Sequence, residues 1–186
     1  MQVSDNASGA DNQQERLLDP WYVTGFFEGE GCFSVSIHDH RGLKHGWMIR
    51  PVVQAYQHRD RVELLEKVVR FFGCGKVRPK GPQSSVLTFA VERTSDITEK
   101  ILPHFDKYPL QSDKQLDYLK FREIVLRMQL KEHKDPQVFL NIARLAFSMN
   151  LQGKQRKRSL ADIESRILRG HTPDLIVSEE DMVRSA

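Results

Sequence analysis

Asp19-Pro20-Trp21-Tyr22-Val23-Thr24-Gly25-Phe26-Phe27-Glu28-Gly29-Glu30-Gly31 is the stretch on which the fold turns. Asp19 suits an N-cap, where a carboxylate accepts the unsatisfied amides of a first helical turn. Pro20 suits the first helical position, where a missing N–H costs nothing. The spacing predicts a helix from Pro20 through Gly29. Gly25 and Gly29 stand four apart on one face, and a glycine inside a helix costs about 1 kcal/mol against alanine. Two in one short helix suggest a compensating close contact along that bare face. Glu28 and Glu30 close the segment, with Glu30 at the helix end, projecting outward just before Gly31, taken as a flexible joint.

Downstream, from Cys32, the apolar period changes to two. Phe33, Val35 and Ile37 alternate with Ser34, Ser36, His38 and His40, as in a strand with one buried face. A turn over 41–46 leads to a second strand from Trp47 to about Gln57, with Ile49, Val53 and Ala55 on one face and Arg50, Gln54 and Tyr56 on the other. Asp60 and Glu63 form a D-x-x-E capping arrangement for a helix carrying Val62, Leu65, Val69 and Phe72 and stopping near Gly73. A third strand over 76–80 contains Pro79, which suits an edge. A fourth, over 85–93, turns Leu87, Phe89 and Val91 inward. Asp96 and Glu99 repeat the capping pattern before a helix over 97–106. Ser112 and Gln115 cap another over 113–132, Asp135-Pro136 opens one over 136–150, and Ser159 caps a last over 160–169.

The order is α-β-β-α-β-β-α with extra C-terminal helices. It predicts an α+β fold in which two hairpins make a four-stranded antiparallel sheet with helices on one face. Phe139, Ile142, Leu145 and Met149, at helical spacing, are packing residues of an accessory helix. The expected organisation is a disordered leader over 1–17, a main domain over 18–134, an accessory helical and basic segment over 135–170, and a disordered tail over 171–186.

Composition limits the function classes. The chain is 39% hydrophobic and 28% charged, enough apolar material for one substantial core. No window approaches the roughly 18 uninterrupted apolar residues of a membrane span, and Met1 to Arg16 lacks the apolar stretch of a signal peptide. These features predict an intracellular protein, in a bacterial cytoplasm or an organelle (chloroplast or mitochondrion). Cys32 and Cys74, each in an apolar or strand-like context, fit two small buried thiols rather than a disulfide. Net charge is only +3, but its distribution is uneven. Arg41, Lys44, His45, Arg50, His58, Arg59 and Arg61 gather about the first hairpin, Lys76, Arg78 and Lys80 follow, and 154–158 reads K-Q-R-K-R. Such segregation suggests one basic face. A sheet covered on one side and basic on the other suits a DNA groove.

The segment Val23 to Gly31 resembles the motif that names the LAGLIDADG homing endonucleases: small residues, an aromatic pair, and a closing acid-small-acid-glycine. From Leu18 to about Lys134 the elements follow that family in order and spacing. The resemblance implies a metal-dependent endonuclease that cuts both strands of a long DNA site. It places Tyr22, Gly25, Phe26 and Gly29 at a two-fold interface and makes Glu30 the metal-binding acid, aided by the Gly29 carbonyl. The cation implied is Mg²⁺ or Mn²⁺. Gln54 matches a glutamine that positions water, and Lys114 a lysine near the scissile phosphates, with Lys107 in its place if the register shifts. Glu28 is secondary, a hydrogen-bonding or salt-bridging group.

Double-stranded DNA is then the expected partner. Ser34, Ser36, His38, His40, Arg50, Lys76, Arg78, Lys80 and Thr88 are the candidate base readers on the exposed strand face. Lys154, Arg156, Lys157 and Arg158 are candidate phosphate contacts. Only one copy of the motif is present, so the second half is expected from another chain and the target to be near-palindromic. Two alternatives share the fold: a maturase acting on intron RNA, and a DNA-binding protein that does not cleave.

Overall fold

The computed structural model describes residues 18–43, 45–150 and 158–169. The expected leader, the tail, and Lys154, Arg156 and Lys157 lie outside the described residues. Helix α1 spans Pro20–Glu30, and the Asp19 carboxylate accepts from the Trp21 and Tyr22 amides, as its residue type predicts. Strands β1 (Gly31–Asp39) and β2 (Trp47–His58) form the first hairpin. A 3₁₀ turn over Arg59–Arg61 precedes α2 (Val62–Phe72), and Gly73 ends that helix in the left-handed region at φ 61°. Strands β3 (Lys76–Pro79) and β4 (Val86–Val91) form the second hairpin.

A helical run follows: α3 (Thr94–Asp96), a π-helical turn over Ile97–Ile101, and α4 (Leu102–Lys107). Then come α5 (Lys114–Gln129), α6 (Pro136–Phe147) and α7 (Leu160–Leu168). The two hairpins join through β2 and β4, so the sheet runs β1-β2-β4-β3, antiparallel throughout, with β3 on an edge as Pro79 requires.

The pleat sorts the large apolar side chains to one face of the sheet. Phe33, Val35, Ile37, Trp47, Ile49, Val53, Ala55, Phe89 and Val91 are buried on one face, and the helices pack there. Phe27 of α1 sits at the centre, with its ring 5.2 to 6.4 Å from those of Phe33, Phe72, Phe89 and Phe105. Phe139, Ile142, Ala146 and Met149, with Ile163 and Ile167 of α7, belong to the same apolar cluster. Among the described residues no helix is long and apolar enough to cross a membrane. Both cysteines are free thiols.

Several expectations need correction. Asp60 and Glu63 do not cap α2; the His58 imidazole caps the preceding turn by accepting from the Asp60 amide, and no side chain caps at Arg61. Asp96 and Glu99 do not open the next helix, which begins at Thr94, and Asp96 instead pairs with Lys100 at 2.9 Å. Gly31 is not a flexible joint. Its backbone is extended, at φ −86°, and a Cβ there would lie 2.6 Å from the Phe27 ring and carbonyl, so glycine is required for close approach. Thr88 is not exposed: β4 is an inner strand, and Thr88 is flanked by the larger Tyr56 and Arg78, which leave it 3% accessible.

One buried polar cluster ties α1 to α4. The Thr24 hydroxyl donates to the Tyr108 carbonyl at 2.9 Å, so its contact with His104 Nε2 at 3.2 Å is one in which the imidazole donates. Burial among Phe71, Phe72 and Phe105 pushes the His104 pKa down to about 4. Below the ordinary value of 6.5 the unfolded chain therefore takes up a proton that the folded chain refuses. Stability contributed by neutral His104 should be intact above pH 6.5 and decline as pH falls toward 4, by up to about 1.4 kcal/mol per pH unit. Urea denaturation between those limits should show His104→Gln with a shallower pH dependence than wild type. Identical slopes would contradict the neutral buried imidazole.

Candidate active site at the end of helix α1

Helix α1 divides its circumference in two. Val23, Thr24 and Phe27 face the core, whereas Trp21 and Tyr22 are each 52% accessible and Gly25 and Gly29 are exposed. Among the described residues a Cβ at Gly25 or Gly29 would meet nothing within 4 Å, so no contact between them accounts for either glycine. Glu30 is the last residue of the helix; it is exposed and, among the described residues, its carboxylate has no hydrogen-bond or ion-pair partner.

Glu28 behaves differently. Its carboxylate accepts from the Gln111 amide, the Ser112 amide and the Ser112 hydroxyl, in the loop that leads into α5. Partial burial pushes its pKa up, but these hydrogen bonds and the nearby Lys114 outweigh that effect and hold the carboxyl below the usual value. Lys114 completes a reciprocal clasp. Its ammonium donates to the carbonyls of Phe27 at 2.8 Å, Glu28 at 2.6 Å and Gly31 at 2.8 Å. A lysine has three donors, and all three are directed to the end of α1. The acid of one helix thus meets the N-terminal approach of another, and a cation meets the first helix's negative end, the arrangement helix dipoles favour. Lys114 skips the Gly29 carbonyl.

Gln54 lies on the open face of β2, opposite Cys32 in the strand after Glu30. Its Oε1 accepts from the Tyr56 hydroxyl at 3.1 Å, which leaves the amide nitrogen without a partner among the described residues. Tyr56 is itself held under Lys80, whose ammonium sits 4.6 Å from the ring centroid. Residue pattern alone assigned no role to Tyr56; its position two residues from Gln54, on the same face, was the available signal. Lys107, the alternative to Lys114, has its ammonium 5.4 Å from the Tyr108 ring centroid and contacts none of these groups.

The candidate readers occupy the same open face. Ser36 pairs with Arg50, Ser34 with Val52, and Tyr56, Thr88 and Arg78 form one row across three strands. Ser34 and Ser36 donate weakly to cross-strand carbonyls at 3.4 Å, and His38 contacts the Ser36 hydroxyl at 2.8 Å. Arg50, Lys76 and His40 are exposed and unpaired among the described residues, whereas Arg78 is paired with Glu92. Arg158 is paired with Asp39 at 2.6 Å rather than standing free.

The fold and this site define a class. The family model described as LAGLIDADG endonuclease matches residues 23–125, more than half of the chain, and the chain belongs to that family. It is 30% identical over 146 residues to homing endonuclease I-ApeII of Aeropyrum pernix, covering 76% of this chain and 86% of that one. It spans only about a quarter of the length of the Podospora anserina and Neurospora crassa intron-encoded relatives it matches. Among solved structures it superposes on the archaeal intron-encoded homing endonuclease I-Vdi141I, complexed with DNA, with a TM-score of 0.74 at 27% identity, covering 81% of this chain and 94% of that one. The I-SmaMI LAGLIDADG homing endonuclease bound to cleaved DNA matches with a TM-score of 0.72 at 29% identity, over 82% of this chain but 49% of that one.

Removing the clasp has a measurable cost. Lys114→Met strips three carbonyls of a charged donor and should destabilise the chain by about 2 kcal/mol in urea denaturation. A loss under about 0.5 kcal/mol, the range of ordinary surface changes, would show that the end of α1 is satisfied without it.

Proposed function

We propose that the protein is a homing endonuclease that binds double-stranded DNA on the open face of its sheet and hydrolyses one phosphodiester per chain as a homodimer. The observation that carries this reading is the pairing, on one helix, of a bare glycine face with an unpaired terminal carboxylate. The bare face suits a second α1 approaching at backbone distance, and that approach brings two Glu30 carboxylates to the centre of a paired sheet. The half-length match to I-SmaMI supports the same conclusion, since one copy of this chain corresponds to about half of that protein.

The donors present fit a hard divalent cation such as Mg²⁺. Glu30 offers a carboxylate and Gly29 a carbonyl, and the described residues hold no cluster of three or more His, Cys, Asp or Glu. That set is what Mg²⁺ accepts, since it commonly takes one or two carboxylates and completes its shell with water and phosphate oxygens. When bound, such a cation supplies Lewis-acid stabilisation of the phosphate and of the leaving oxygen.

The chain's own groups do the rest. Gln54, its amide oxygen occupied by Tyr56, presents its nitrogen as a donor to a water or a phosphate oxygen. Lys114 acts through α1, holding the turn from which Glu30 projects, and is a positioning residue rather than a contact to the reacting atoms. Glu28, committed to the 111–112 loop, shares that positioning role. Arg50, Lys76, Lys80 and His40 supply positive charge and donors across the open face, where arginine and lysine can meet guanine O6 and N7.

The test uses duplexes selected by the wild-type protein from a randomised library. Mg²⁺ should give discrete double-strand cuts, and Glu30→Gln should abolish them while binding in Ca²⁺ survives. Cleavage by Glu30→Gln at the wild-type rate would overturn the assignment. Binding should weaken with salt, by about 0.9 in log–log slope for each phosphate neutralised. A flat response would remove the open face as the DNA surface.

A further inference from the structure

The distal end of the β1–β2 hairpin, which carries His38 and His40, is gripped from behind by the C-terminal elements. Asp39, the last residue of β1, receives two arginines: Arg158 Nη2 donates to one carboxylate oxygen at 2.6 Å and Arg166 Nη1 to the other at 2.6 Å. Trp47 stands opposite Asp39 in the strand pair, and the Arg166 guanidinium lies 5.1 Å from its ring centroid. The same guanidinium lies against the backbone of Gly46, where a Cβ would sit 2.8 Å from it and where φ is +69°. A second grip comes from elsewhere: His45 Nε2 donates to the Lys134 carbonyl at 2.7 Å, and its ring lies 5.8 Å from that of Phe139.

The helix that supplies Arg166 is itself fixed. Ser159 and Asp162 form a capping box at the start of α7, Ile163 and Ile167 are buried, and Glu164 pairs with Arg144 of α6 at 2.9 Å.

We infer that Asp39, Arg158 and Arg166 form a buttress that pre-organises the first hairpin for sequence reading, and that these two arginines are positioning residues rather than phosphate contacts. The inference rests on the DNA-binding reading above and assigns a specificity role within it. A two-stranded ribbon is marginally stable by itself, and a ribbon that becomes ordered only on DNA loses affinity for each side chain it must immobilise. Exposed ion pairs alone stabilise little, but here one carboxylate is shared by two guanidiniums, one of which is stacked on an indole and packed on a glycine. Asp39 follows Ile37 on the side of the strand that faces the helices, opposite the exposed His38, His40 and Arg50, so the two arginines hold the hairpin from behind its open face.

Direct contact and buttressing predict different readouts for one substitution. Asp39→Asn removes a negative charge and frees two arginines, so if Arg158 and Arg166 touched phosphates it would tighten binding to all DNA and steepen the salt dependence. The buttress predicts that the preference for selected duplexes over sonicated genomic DNA falls about tenfold. Arg166→Gln should lower the same ratio with the salt slope unchanged. The double variant Asp39→Arg with Arg166→Asp should recover part of the loss. Hydrogen exchange on the free protein gives a readout that needs no DNA: amides over 38–47 should exchange faster in Asp39→Asn and Arg166→Gln than in wild type. Unchanged exchange, or equal loss of selected and unselected binding with a shallower salt slope in Arg166→Gln, would overturn the buttress. If the wild-type protein bound no DNA, the proposed function would fall, and with it the reading role, while the exchange result would still decide whether the hairpin is braced.

Discussion

The last turn of α1 has carbonyls with no partner inside the helix, and the position of Glu30 depends on how they are satisfied. Lys114 takes three of the oxygens around that turn, and the Gly31 amide also returns to Phe27. Gly31 must lack a side chain for the chain to leave the helix so tightly against Phe27. With the end of the helix held from α5 and its inner face held by Phe27 in the aromatic core, Glu30 has only its side-chain torsions left to vary. A carboxylate placed that way is pre-organised without a direct partner among the described residues, which suits the cation-binding role proposed for it.

The rest of the molecule preserves this one-sided arrangement. Among the described residues, helices and sheet bury a single face and leave the outer surface of α1 and the open face of the sheet uncovered. Trp21 and Tyr22 remain half-exposed at a cost in apolar hydration that folding of one chain does not recover. Two glycines that lower helix propensity face open space among the described residues. Local preferences that contradict the fold of a single chain mark a functional constraint, and the constraint we propose is a second copy of the same surface.

What was legible in the sequence was what short-range chemistry decides. Asp19 and Pro20 fix the start of α1 within three residues, alternation from Phe33 to Ile37 fixes the buried face of β1, and Ser159 with Asp162 fixes the start of α7. The cap before α2 and the start of the helix at 94 were misassigned, because His58 caps from inside the strand and the helix opens at Thr94, ahead of a π turn. Alternation placed Thr88 on the correct face but could not give the size of its neighbours. The clasp and the hairpin brace were invisible for a different reason. Lys114 meets carbonyls more than 80 residues away, and Arg166 meets an acid 127 residues away, so no local pattern records them.

The most direct measurement is sedimentation equilibrium of the wild-type chain and of Gly25→Gln. Among the described residues the new side chain enters open space, and it improves helix propensity, so folding should be unimpaired. Pairing of two α1 helices along this face predicts a wild-type dimer and a folded, monomeric variant. A variant that dimerises as tightly as wild type would contradict the claim that two α1 helices meet along their glycine face.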